Sequence, residues 1–225
     1  MAEPLIVTLD GPAGVGKSTL AKMLAKRLGL AFLDTGAMFR AVAWRLGKDS
    51  WTWPEERIAD TLHGLRFGLA GAGEATQLLL DGRALGQEIR TEDVGMWASN
   101  VATLPVVRRF LKKAQQDLAA STSLVAEGRD MGSVVFPAAQ HKFFLDAEPA
   151  ERAKRRVLQL RDMGKEADET AILAQIEARD HQDRTRAEAP LKAAADAHVI
   201  DTTRLDLEEV FDAILTAIVQ AAPRA

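Results

Sequence analysis

Pro4-Leu-Ile-Val-Thr-Leu-Asp10, then Gly11-Pro-Ala-Gly-Val-Gly16-Lys17-Ser18, then Thr19 to Leu28, is the stretch that decides the fold. Its first seven residues are a short apolar run ending in glycine, the pattern of a strand buried on both faces of a parallel sheet. Leu20, Met23, Leu24 and Leu28 follow at helical spacing, and Gly29 supplies a C-terminal stop. Between strand and helix, glycine, four residues and Gly-Lys-Ser match the phosphate-loop pattern in the context that confirms it. Glycines there let successive N–H groups turn inward around phosphate oxygens, and the helix N-terminus adds partial positive charge. The expected ATP-binding residues are therefore Gly11, Pro12, Ala13, Gly14, Val15, Gly16, Lys17, Ser18 and Thr19. Lys17 is placed to set a cation on the β- and γ-phosphates, and the Ser18 hydroxyl to ligate the Mg²⁺ that travels with ATP.

Outward from this stretch the chain alternates strand and helix patterns. Ala31–Asp34, Leu124–Glu127, Lys142–Asp146 and His198–Asp201 read as four more short strands. Ala37–Leu46, Pro149–Met163, Glu169–Arg186 and Leu207–Gln220 read as helices. Five strands alternating with helices imply an α/β fold, a parallel sheet with right-handed crossovers. Two segments stand outside the alternation. Residues 47 to 95 carry Trp51, Trp53, the turn Gly71-Ala-Gly73 and strand-like pieces at Gln77–Asp81 and Glu88–Arg90, which predict a small β-containing insert. Glu151 to Pro190 holds seven arginines and few large apolar residues, and is read as a polar helical pair, either a lid or a solvated face.

Composition narrows the class. The chain has 225 residues, 29 basic and 32 acidic, for a net charge of -3, which argues against a nonspecific nucleic-acid surface. Apolar residues make up 47% and charged residues 27%, and no run reaches the roughly 18 apolar residues of a membrane span. No cysteine is present, so disulfides, thiolate metal sites and cysteine nucleophiles are excluded together. Met1 to Thr8 lacks a basic segment leading into a long apolar core, so no secretory signal is expected. The expectation is a cytoplasmic monomer without nucleic-acid or membrane partners.

A phosphate loop leaves open whether the γ-phosphoryl group goes to water or to a second substrate. The chain has no Asn-Lys-x-Asp box and no Asp-x-x-Gly switch motif, which disfavours a regulatory GTPase. Asp34 ends a strand, where ligands of open parallel sheets bind; capping the next helix is its other possible role, with Thr35 as a rival cap. Arginines recur at strand ends and on one helix, as a second phosphate-bearing ligand would require. Arg179, Asp183 and Arg186 fall within a stripe about 60° wide on the helix they share. A kinase for another small acceptor, such as UMP or shikimate, and an ATP-driven switch both remain compatible with these residues.

Several stretches, in order, resemble bacterial cytidylate kinases. They are the loop, Leu33-Asp-Thr-Gly-Ala-Met-Phe-Arg40, Ile89-Arg-Thr-Glu-Asp-Val94, Glu127-Gly-Arg-Asp-Met-Gly132, Phe144-Leu-Asp-Ala147 and Arg179 to Arg186 with Ala189-Pro-Leu191. The resemblance runs from about residue 5 to 205 and implies transfer of the γ-phosphoryl group of ATP to CMP or dCMP. It implies a P-loop NTPase fold of the nucleoside-monophosphate kinase type: core 1–46, 91–150 and 191–225, acceptor-binding insert 47–90, and helical lid 151–190. By the same resemblance Lys17, Arg129 and Arg186 are the expected catalytic residues, with Arg40, Arg129 and Arg186 on the acceptor phosphate and Asp34 and Thr35 also at the acceptor. Ser99, Arg108 and Asp130 are implied at the base, Arg179 and Asp183 at the ribose, and Arg152, Arg155 and Arg156 at ATP. A carboxylate accepting from cytosine N4, with Ser and Arg donating to the ring acceptors, reads the cytosine edge and not that of uracil. The family often has tyrosine before the arginine at 40, where this chain has Phe39.

Overall fold

A computed structural model describes residues 3–221. In chain order it contains β1 (Ile6–Asp10), α1 (Lys17–Leu28), β2 (Ala31–Asp34), α2 (Thr35–Leu46), α3 (Glu55–His63), β3 (Phe67–Ala70), β4 (Gln77–Leu80) and β5 (Arg83–Ala84). There follow α4 (Glu92–Val101), α5 (Pro105–Ala119), β6 (Leu124–Gly128), β7 (His141–Asp146), α6 (Pro149–Asp162), α7 (Glu169–Thr185), β8 (His198–Asp201) and α8 (Leu207–Ala221). The five strands expected from their apolar runs form one parallel sheet in the order β2-β6-β1-β7-β8.

Strand β6 shows why the runs are continuous. All five of its residues are buried; Leu124 and Ala126 enter one core cluster and Val125 the opposite one. The period of two sends alternate side chains to opposite faces, and helices cover both. On one side α2, α4 and α5 bring Met38, Val101, Val107 and Leu111 to Leu33. On the other, α1 and α8 bring Leu20, Leu24, Val210 and Ile214 to Val7, Leu9 and Phe143.

The structure differs from the sequence expectation in four places, the first being α3 and β3, which lie in the insert where periodicity assigned neither. Helix α2 starts two residues early, at Thr35, because the Asp34 carboxylate caps it by accepting the Ala37 N–H at 2.7 Å. Glu88–Arg90, expected to be extended, lies in a 3-10 turn over Gln87–Arg90, where the Glu88 side chain accepts the Gly86 N–H at 2.7 Å. Periodicity assigned no element between 96 and 123, yet α4 and α5 fill most of it; Pro105 starts α5, and Val107, Leu111, Gln115 and Ala119 are buried at every fourth position. The last expected core residues, 222–225, and the first two lie outside the described residues.

The segment between α2 and α4 holds a separate antiparallel sheet, β3-β4-β5. Its Gly71–Gly73 turn attaches to the main sheet: the Gly73 N–H donates to Leu30 O at 2.9 Å, and the Thr76 hydroxyl accepts the Phe32 N–H at 3.1 Å. Edge strand β2 is thereby covered.

Gly11 stands where β1 breaks into the loop. Its φ is +146°, and a Cβ there would lie 2.0 Å from the Leu145 carbonyl oxygen at the end of β7. Only glycine tolerates both conditions. Gly11→Ala is expected to cost more than about 3 kcal/mol of stability, read as a lowered urea midpoint. An unchanged midpoint would show that the two strand ends are not in contact.

Candidate active site

Parallel register sets Asp10 beside Gly128 and Asp34 beside Glu127. Three carboxylates, of Asp10, Asp34 and Glu127, thus gather at the carboxyl edge of the sheet, where ligands of such sheets bind. Asp10 is buried and accepts two backbone hydrogen bonds, from Met131 N–H at 2.8 Å and Gly132 N–H at 2.7 Å. Burial pushes its carboxyl from 3.8 up to about 6, outweighing the two hydrogen bonds that favour the charge.

The loop glycines do what the motif requires: Gly14 and Gly16 take φ of +86° and +87°. Lys17 is buried, and its ammonium donates to Pro12 O at 2.6 Å. Burial, and then the charge of Arg129, push it well below the ordinary lysine range. The Ser18 hydroxyl donates to Glu127 Oε2 at 2.7 Å, and the Thr35 hydroxyl donates to Glu127 O at 2.6 Å. Burial, and then the charge of Asp34, push the Glu127 carboxyl up.

The second half of the site alternates cations and anions. Asp34 pairs with Arg40 at 3.1 Å and with Arg90 at 4.0 Å. Arg129 Nε donates to Asp183 at 2.9 Å, and Arg108 donates to Asp130 at 2.5 Å. Arg186 lies 3.5 Å from both Asp183 and Asp130, while its Nε donates to Ala189 O at 2.6 Å. Two donors in the cluster are buried without a hydrogen bond, Arg40 Nε and Arg186 Nη2, the latter only in ionic contact with Asp130. Arg179 is exposed on α7, within reach of the charges of Arg129, Asp183 and Arg40. Ser99 lies half-buried on α4, which packs against α2. Phe39 supplies no hydroxyl, but its ring centroid lies 5.7 Å from the Arg108 guanidinium carbon. Guanidinium groups held by carboxylates, with N–H groups to spare, suit a phosphate.

A cavity of about 430 Å³ opens beside the loop, lined by Gly14 to Leu20, Arg155, Arg156, Gln159, Thr202 and the stretch Leu205–Leu207 with Val210. Arg155 is anchored there through Thr202 O at 2.6 Å, and Arg156 reaches Gln159 at 2.7 Å. Arg152 lines none of it; the side chain is buried beneath the loop. A more open hollow at the α6–α7 turn, lined by Arg161, Lys165 and Asp168, touches no loop residue.

Three residues of the cluster were given no site role by the sequence: Asp10, Arg90 and Glu127. Asp10 and Glu127 each close a buried strand at the same sheet edge, a signal readable once the strand order is known. Arg90 lies in the Ile89–Val94 stretch that carries the resemblance, but no feature of the sequence assigned it a role.

The family model described as cytidylate kinase matches residues 7–220. The cytidylate kinase of Oleidesulfovibrio alaskensis is 59% identical over 218 residues, covering 97% of this chain and 100% of that protein. The cytidylate kinase of Maridesulfovibrio salexigens is 57% identical over 215 residues, 96% of each chain. Among solved structures, an uncharacterized protein from Eubacterium ventriosum gives a TM-score of 0.50 at 15% identity over 96% of this chain and 98% of that one, a likeness of fold alone.

The buried Asp10 makes stability depend on pH. Native Asp10 keeps its proton to about pH 6, whereas its ordinary value is 3.8. The stabilisation it contributes is full below about pH 4 and is lost as the pH rises through about 6. Urea unfolding over this window should show the wild type losing about 2–3 kcal/mol relative to Asp10→Asn. A difference between the two proteins that stays constant with pH would contradict the burial of an ionising carboxyl at this position.

Proposed function

The chain belongs to the cytidylate kinase family, and on that premise we propose how its residues carry the family's reaction. The reaction is transfer of the γ-phosphoryl group of ATP to CMP or dCMP, giving ADP and CDP or dCDP. The observation that supports the roles best is the row of guanidinium–carboxylate pairs beside the phosphate loop.

Phosphoryl transfer passes through a loose transition state that needs in-line placement and cations around the spreading charge. On the donor side, the loop N–H groups of residues 11–19 hold the phosphates. Lys17 leaves Pro12 O for the β- and γ-phosphates, whose charge restores its hold on the proton. Arg155 and Arg156 border the cavity that takes the rest of ATP. The Ser18 hydroxyl, backed by the Glu127 carboxylate, forms an oxygen donor set suited to a hard cation, and Ser18 would hold the Mg²⁺ of ATP, which neutralises phosphate charge.

On the acceptor side, Arg40, Arg129 and Arg186 take the monophosphate, with the spare donors Arg40 Nε and Arg186 Nη2 among the groups that meet it. Asp34 and Thr35 hold that end of the site, Asp34 by pairing with Arg40 and Thr35 by its bond to the Glu127 carbonyl. Arg179 and Asp183 meet the ribose, and Ser99, Arg108 and Asp130 the cytosine. A phosphate monoester is already anionic and nucleophilic, so no strong base is required. Water must be kept from the γ-phosphate, and we assign that to segments 47–90 and 151–190 closing over the two nucleotides.

We also propose a monomeric, cytoplasmic enzyme without nucleic-acid or membrane partners. The net charge of -3 supports this, and among the described residues no helix is long and apolar enough to cross a membrane. Gel filtration of the pure protein is expected to give one species at the size of a single 24.4 kDa chain, and a larger species would overturn the monomer.

The roles are tested by ADP release with ATP and a panel of acceptors. Wild type should turn over CMP and dCMP far faster than UMP or shikimate, and Lys17→Met should fail with all of them. ADP release independent of any acceptor would favour an ATP-driven switch instead. Asp130 can only accept hydrogen bonds, which suits the cytosine amino group, whereas asparagine can also donate to the uracil O4. Asp130→Asn should lower the CMP/UMP ratio of kcat/KM at least about tenfold. An unchanged ratio would leave base choice to Ser99 and Arg108.

A further inference from the structure

Arg152, in the first turn of α6, is 1% exposed, the largest side chain buried so completely. Its stem runs under the phosphate loop, where a Cβ on Gly14 would come within 3.2 Å of the Arg152 Cβ. Its Nη1 donates both to Ala13 O at 3.0 Å and to Asp180 Oδ1 at 3.1 Å. Its Nη2 donates to the other oxygen of Asp180, and its Nε to Ala147 O, just past β7, at 2.9 Å. One planar group therefore joins the phosphate loop, the end of the central sheet and α7.

We propose that Arg152 and Asp180 are a positioning pair that couples occupancy of the phosphate loop to the placement of the acceptor-binding side chains on α7. The inference rests on the kinase reading of the site. A buried ion pair adds little net stability over apolar side chains of the same volume, so stability alone is a weak reason to bury this arginine. Its location supplies a better one. Asp180 adjoins Arg179 and lies one turn before Asp183, with Arg186 at the end of the same helix. At about 100° per residue, the docked face of α7, Ile176 and Asp180, borders the face that carries Arg179 and Asp183. Phosphate oxygens entering the loop set the direction of its N–H groups, and hence of the Ala13–Gly14 peptide whose carbonyl Arg152 holds. The guanidinium is rigid and planar, so it cannot follow Ala13 without pulling on Asp180. Displacement of one partner becomes rotation of the other's helix.

The test is calorimetric binding of CMP with and without Mg²⁺ and a nonhydrolysable ATP analogue. In the wild type the analogue should tighten CMP at least about fivefold. Removing one charge would leave the other buried and unpaired, so the variant of choice is Arg152→Met with Asp180→Leu, which removes both and keeps the volume apolar. It should fold, bind each nucleotide alone within about threefold of wild type, and show coupling below about twofold, with kcat reduced about tenfold or more. Asp180→Glu, which keeps the charge pair but lengthens it by one methylene, should retain at least half of the coupling. A folded double variant with full coupling would overturn the proposal, and a double variant that cannot fold would reduce the pair to a fold contact. A wild type that binds neither nucleotide would overturn the kinase reading instead, a separate and recognisable failure.

Discussion

Two hydrogen bonds, from the Met131 and Gly132 N–H groups to the single carboxylate of Asp10, join the two halves of the site. Asp10 immediately precedes the phosphate loop, and Met131 immediately follows Arg129 and Asp130. The chain therefore cannot place its phosphate-binding turn without also placing the segment that carries those two side chains. From the opposite side, Gly11 rests against the Leu145 carbonyl, so β7 limits where the turn can go. Burying a carboxylate is costly, and backbone donors compensate only part of that cost. The molecule accepts the remainder in exchange for a fixed distance between donor and acceptor segments.

The acceptor side has a different constraint. Unit charges of one sign about 4 Å apart repel by about 4 kcal/mol near a protein surface. Arg40, Arg108, Arg129 and Arg186 would drive one another outward if they stood alone. Asp34, Asp130 and Asp183 stand between them, and the arginines lie mostly buried at distances of 2.5 to 3.5 Å from these carboxylates. The guanidinium groups are thus ordered before any anion arrives, and ordering them is a cost that binding need not meet.

What the sequence disclosed follows from the range of each interaction. The phosphate loop, its strand and its helix are consecutive, so one stretch of 25 residues carried motif, context and chemistry together. The central strands were legible because burial on both faces leaves runs such as Leu124–Ala126 without polar interruption. Helices α4 and α5 were not, because the helical stripe of α5 is carried in part by Gln115 and Ala119, buried only by what packs on them. Pairings distant in sequence were invisible for the same reason. Ser18 and Glu127 are 109 residues apart, and Arg152 and Asp180 are 28 apart on separate helices. Nothing local in Arg152 distinguishes it from Arg155 and Arg156, although the fold buries the first and leaves the other two lining a cavity. Arg40, Arg108, Arg129 and Arg186 converge on one edge; their carboxylate partners were legible one by one, but not the pairing.

The attachment of the Gly73 turn to β2 bears on how copies of this chain meet one another. A sheet edge with free N–H and C=O groups is a template for another strand. At β2 the protein's own chain occupies that position, through the Gly73 N–H and the Thr76 hydroxyl. At the opposite edge β8 is short, four residues, with Val199 63% exposed. When the protein is heated or concentrated, strand-to-strand association through the five-stranded sheet therefore starts from β8, and a charged residue at Val199 is the economical way to close that edge.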